Sequence, residues 1–116
     1  MSQLPQDTIE LSRGYIDADK KAHRKITLRA PTLQDEIESE KICAKLGLES
    51  SDTAGWLAMV LRCIVQWDGI PMPEMKHLLA LTRDEGKQLV QLMLRLENSV
   101  SREEMGNGVS EQGPTP

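Results

Sequence analysis

The first regular feature of the chain is an alternation of apolar and polar positions. Ile9 and Leu11 alternate with Thr8, Glu10 and Ser12, the two-residue period of a half-buried strand. Ile26 and Leu28 alternate with Lys25, Thr27 and Arg29 in the same way. A charged connection, 14–24, separates the two runs, so the pattern predicts a β-hairpin over about residues 8–29. Two strands alone are marginally stable, so the hairpin should lean on helices or on a neighbouring subunit.

After Pro31 the period changes to that of helices. Thr32 is placed as an N-cap with Asp35 three residues on, a variant of the capping box. Leu33, Ile37, Cys43 with Ala44, and Leu46 then read as an apolar stripe over 32–46, closed by Gly47. A second helix is predicted over 52–67. Its apolar positions, from Trp56 through Leu57, Met59, Val60, Leu61, Cys63, Ile64 and Val65 to Trp67, exceed one face. The GIPMP stretch at 69–73 breaks the chain. A short helix, 74–80, follows. Thr82 and Glu85 form a second capping box for a last helix over 83–98, which carries Leu89, Val90, Leu92, Met93, Leu94 and Leu96.

The expected fold class is therefore mainly α with a small N-terminal β-hairpin (α+β). A three- to four-helix bundle fills a single domain over 1–98, with the helical part at 32–98. Residues 99–116 hold Gly, Ser, Glu, Asn and Pro with little apolar content, which predicts a disordered tail.

Composition narrows the classes of function. The chain has 116 residues, the size of one domain. It has no Phe, and aromatic residues make up 3%, so its core must rely on Leu, Ile, Val and Met. So small a core favours oligomerisation or a partner. The net charge of −4 lacks the basic stripe of a nucleic-acid binder. Residues 1–30 carry six Lys/Arg against four acids, and residues 31–53 two Lys against six acids; solvated charge is the simpler reading of both. The N-terminus has no signal-peptide pattern, and no run approaches the ~18 consecutive apolar residues of a membrane span. Cys43 and Cys63 are not in a Cys-x-x-Cys pair. A soluble cytoplasmic protein with two buried thiols is expected.

Candidate chemistry is sparse. His23 and His77 have no Ser, Cys or acid at a catalytic spacing. Two His and two scattered Cys offer no zinc pattern. The acidic run Asp35, Glu36, Glu38 and Glu40 lacks the central Gly of a calcium loop and fits the start of a capped helix. Gly106 and Gly108 lie in the polar tail, outside any phosphate-loop context. A helix-turn-helix over 74–96 has the right outline, but Asp84 and Glu85 would meet phosphates at the start of its second helix. No enzyme activity, cofactor or metal is expected.

Trp56 and Trp67 are candidate anchors for a partner, because Trp is enriched in binding hot spots. Eleven residues is about three helical turns, which would place both rings near one face with Val60 between them. Membership of the core is the simpler reading for either ring alone. The candidate partner-binding set is Trp56, Met59, Val60, Trp67, Leu89, Leu92, Met93 and Leu96. Met59 and Met93 suit an adaptable contact.

The segment 26–37, ITLRAPTLQDEI, resembles the opening of a family of tail assembly chaperones from long-tailed bacteriophages, in the branch of Mu-like contractile-tailed phages. The resemblance rests on Leu28, Arg29, Pro31, Thr32 and Asp35, and on Leu79, Leu81, Thr82 and Asp84 leading into the Leu-rich last helix. It covers about residues 8–98. It implies a chaperone that coats the tape-measure protein in the host cytoplasm and keeps it soluble while tail-tube subunits polymerise. The chaperone is absent from the mature virion. The tape-measure protein is then the client, the tail-tube protein a further partner, and the chain itself a homo-oligomer, without nucleic acid or membrane. The alternative is a small DNA-binding transcriptional regulator of helix-turn-helix type.

Overall fold

The computed structural model describes residues 4–48 and 52–112, with 52 and 101–112 as backbone only. Strands β1 (Gln6–Ile16) and β2 (Ala22–Arg29) form the hairpin. Helices α1 (Leu33–Lys45) and α2 (Asp52–Cys63) follow, then strand β3 (Ile64–Trp67), helix α3 (Met75–Leu79) and helix α4 (Arg83–Gln112). The sheet is antiparallel with order β1-β2-β3.

The mainly α bundle expected from the sequence is thus corrected to an α+β fold, a three-stranded sheet with four helices. The second helix stops at Cys63. Ile64, Val65, Gln66 and Trp67 leave it as a strand, and Trp67 pairs with Ile26 of β2. β-branched and aromatic residues favour that change. Trp67 Nε1 secures it by donating to the carbonyl of His23 at 3.0 Å. The third strand supplies support that the hairpin lacks alone.

The end of α4 is also corrected. The helix passes Asn98 and continues through Gln112, which replaces the expected tail over 99–112. Arg102, Glu103, Glu104 and Met105 are good helix formers, and no Pro intervenes before 114. Low hydrophobicity in this stretch therefore does not mark the absence of a helix. The remainder of the expected tail, 113–116, lies outside the described residues.

The rotation of α1 differs from its apolar stripe. Its buried residues are Asp35, Ser39 and Cys43, while Leu33 is 80% exposed and Ile37 and Leu46 also face outward. The cause is the carboxylate of Asp35. Arg29 from β2 donates to it through two nitrogens at 2.6 and 3.0 Å, and Arg62 from α2 at 3.3 Å. Once Asp35 points inward, Leu33 and Ile37, two residues away on either side, are turned to the opposite face. Cys43 completes the inner face, its thiol 3.6 Å from the carbonyl of Ala54 on α2.

Between Glu10 and Tyr15 the register of the hairpin slips: five steps along β1 answer two along β2, from Lys25 to His23. Gly14 sits in this bulge at φ +77°, against the carbonyl of His23. Leu11, Ile26 and Leu28 of the sheet pack with Val60 and Cys63 of α2, Trp67, and Leu89, Leu92, Met93 and Leu96 of α4 to form the core.

Candidate functional site

An open groove lies between three helices. The GIPMP break turns the chain into α3, which buries Met75 and Leu78 and leaves Leu79 outside. Leu81 and Thr82 then lead into α4. Thr82 caps that helix: its hydroxyl accepts from the Glu85 N–H at 3.2 Å, and the Glu85 carboxylate accepts from the Thr82 N–H at 3.2 Å. The other oxygen of Glu85 reaches the β1 bulge, accepting from the N–H groups of Arg13 at 2.7 Å and Gly14 at 2.8 Å. The first turn of α4 is thereby fixed to the sheet, and the wall it gives the groove is fixed with it.

The groove encloses about 460 Å³. Trp56 and Leu57 of α2 form one wall, Leu78, Leu79 and Leu81 the α3 side, and Val90 of α4 the other wall. Trp56 is 44% exposed and Leu79 52% exposed, so large apolar side chains stand open to solvent there. Arg83 and Lys87 lie along the α4 rim, and Gly86 lines the space between them. A smaller cavity of about 370 Å³ lies beside β3 and the GIPMP break.

The two buried carboxylates, Asp35 and Glu85, are engaged in holding the fold. Burial alone would push the Asp35 carboxyl up; Arg29, with the N–H and hydroxyl of Thr32, outweighs burial and holds it down at about 2. Burial likewise opposes ionisation of Glu85, and the N–H groups of Gly14, Arg13 and Thr82 outweigh it, so its carboxyl also lies below the ordinary range. Burial pushes the Cys63 thiol up to about 12, reinforced by the charge of Asp35. Cys43 and Cys63 are both free and buried.

His23 bridges two turns, with Nε2 2.7 Å from Asp17 Oδ2 and Nδ1 3.1 Å from the carbonyl of Asp68. His77 Nδ1 accepts from the Glu74 N–H at 2.9 Å, and its ring meets Tyr15 edge-on at 4.8 Å. Both histidines thus serve the junction of hairpin, β3 and α3. In the acidic run, Asp35 is inside and Glu36 and Glu40 are exposed. Among the described residues no three His, Cys, Asp or Glu are grouped to hold a metal ion, and no helix is long and apolar enough to cross a membrane.

The expected partner-binding residues separate. Trp56 lines the groove. Met59 is half-buried against the core, and Val60, Trp67, Leu89, Leu92, Met93 and Leu96 lie within it. The two Trp rings do not share a helix face, because Trp67 belongs to β3. Leu79, Leu81, Arg83, Gly86 and Lys87 were absent from the expected set. A signal for the α4 wall was present in the sequence: Arg83, Gly86, Lys87, Val90 and Gln91 follow the spacing of one helix face. For Leu79, adjacent to Leu78 on a short helix, the sequence did not say which of the two faces out. No family model, curated protein or solved structure matches this chain.

Proposed function

We propose that this chain is a phage tail assembly chaperone. It binds the tape-measure protein in the host cytoplasm, keeps it soluble while the tail tube forms, and is absent from the mature virion, with the tail-tube protein as a further partner. The observation that carries the reading is the open apolar groove with Trp56, Leu79 and Val90 on its walls. Grooves of this kind take the apolar face of an amphipathic helix. Many modest contacts along one long client supply avidity while allowing release.

The residues of the family resemblance support the reading in a second way. Arg29, Thr32 and Asp35 form one clasp, joining β2 to α1 and, through Arg62, to α2. They account for why a Leu-Arg-x-Pro-Thr-x-x-Asp stretch would mark a fold, while client contact belongs to other residues. Self-association is part of the proposal, since α1 turns Leu33 and Ile37 outward and its C-cap Leu46 is exposed. Light scattering should give a mass above the 13.0 kDa of one chain; a monomer at high concentration would remove this part.

The test is co-expression with the tape-measure protein encoded by the same genome. The client should stay in the soluble fraction with the wild type and sediment with Trp56→Asp or Leu79→Asp, both of which should remain folded. A client equally soluble without the chain would overturn the reading. Retention of the chain on DNA, abolished by salt, would favour the regulator instead.

A further inference from the structure

We infer that the groove selects an amphipathic helix with acidic residues one turn apart along one flank, paired by Arg83 and Lys87. The inference rests on the chaperone reading and adds the chemistry of the segment that is held.

The shape of the groove carries the first half. Its α4 wall consists of Arg83, Gly86, Lys87, Val90 and Gln91, and its α2 wall of Thr53, Trp56 and Leu57. The α4 wall follows the i, i+3, i+4 and i+7 spacing of a helix face, and the α2 wall its i, i+3 and i+4 part. Two such ridges present the grooves into which a third helix packs. Its lining residues come from α2, α3, α4 and the turn before α4, with no strand among them, so the groove offers no edge for strand addition. From Arg83 to Gln91 the wall spans about 12 Å, the length of roughly two helical turns. The occupant therefore offers apolar residues at i, i+3 or i+4, and i+7.

Charge carries the second half. The chain as a whole has a net charge of −4, yet the polar rim on the α4 side of the groove is cationic. Arg83 and Lys87 stand one turn apart on it, both exposed. Neither forms a salt bridge among the described side chains. The nearby acids lie off the groove: neither Asp84 nor Glu85 lines it, Glu85 turning inward to Gly14 and Asp84 accepting from Gln88 at 2.7 Å. A helix with acids at i and i+4 matches both cations, whereas a basic helix meets like charge. Complementary rims set specificity more than affinity.

Gly86 fits this account. A methyl group there would meet Leu57 Cδ2 at 3.8 Å, an ordinary contact, so the fold has room for Ala. Glycine within a helix is a local weakness, and here it keeps the space between the two walls open for close approach.

The test uses the full chain and three fluorescent amphipathic peptides with the same leucine face. They differ only at two flank positions one turn apart, which carry Glu, Gln or Lys. The Glu peptide should bind about 3- to 10-fold more tightly than the Gln peptide, as two exposed ion pairs allow, and the Lys peptide most weakly. The double variant Arg83→Glu/Lys87→Glu should reverse that order, and high salt should erase it. Gly86→Ala should melt no lower than the wild type while weakening all three peptides. Equal binding of the three peptides, or an order unchanged by the charge reversal, would overturn this inference and leave the chaperone reading standing. Failure of all three to bind would remove both. A dimer that Leu79→Asp splits would show that a second copy fills the groove, and would also overturn it.

Discussion

Glu85 and Gly14 are joined by a 2.8 Å hydrogen bond across 71 positions of sequence. The bond closes a circuit: a bulge in β1 frees N–H groups from the ladder, and the third residue of α4 accepts them. The same carboxylate completes the cap of its own helix. Asp35 holds the equivalent place in α1, reaching Arg29 and Arg62 while accepting from Thr32. In both helices the acid of the capping box is also the bond between helix and sheet.

Glu85→Ala should therefore cost more than a lost cap. It leaves the buried N–H of Gly14 and the part-buried N–H of Arg13 without an acceptor, for a loss of about 2–4 kcal/mol. Urea unfolding monitored by circular dichroism measures this. A loss close to that of an ordinary exposed cap would contradict the double role.

Acid should loosen the fold in a defined direction. The folded Asp35 carboxyl lies at about 2, below its ordinary 3.8, so the folded state binds this proton less readily than the unfolded chain. Its contribution, about 2 kcal/mol from the size of the shift, is present above pH 4 and lost as pH falls from about 4 to 2. Glu85 shifts in the same direction. The Asp35→Asn variant should be less stable than the wild type at neutral pH, and the gap should narrow below pH 4. A gap independent of pH would show that Asp35 does not ionise in this way.

The two glycines flanking this circuit should respond oppositely to alanine. Gly14 has φ +77°, and a Cβ there would press on the His23 carbonyl, so Gly14→Ala should destabilise by more than about 1 kcal/mol. Gly86→Ala should be neutral or stabilising by about 0.5–1 kcal/mol. Thermal melts of the two variants provide the check.

Cys63 should resist thiol reagents in the folded protein. Its thiol is buried and pushed up to about 12, so almost no thiolate forms at neutral pH. Cys43 is buried as well. Both should react fully in denaturant and slowly without it. Rapid native labelling would show local opening between α1 and α2.

The sequence carried the hairpin and both capping boxes plainly, because Thr32-x-x-Asp35 and Thr82-x-x-Glu85 are local signals. It did not carry β3. Cys63 to Trp67 is as apolar as the helix before it, and only pairing with β2, about 40 residues away, decides that it is a strand. Rotation was equally hidden: the outward face of α1 follows from Arg29 and Arg62 drawing Asp35 inside. For the site, Trp56 was legible as a large ring. The groove around it was not, because it is formed by the placement of α3 against α2 and α4.

The most direct measurement is photo-crosslinking from position 79, with Lys45 on the exposed surface of α1 as control, in cells that also produce the tape-measure protein. The account expects a product with the tape-measure protein from position 79 and little from position 45, and loss of that product on adding Trp56→Asp. Crosslinking absent from position 79, or equal from both positions, would contradict a client held in the groove.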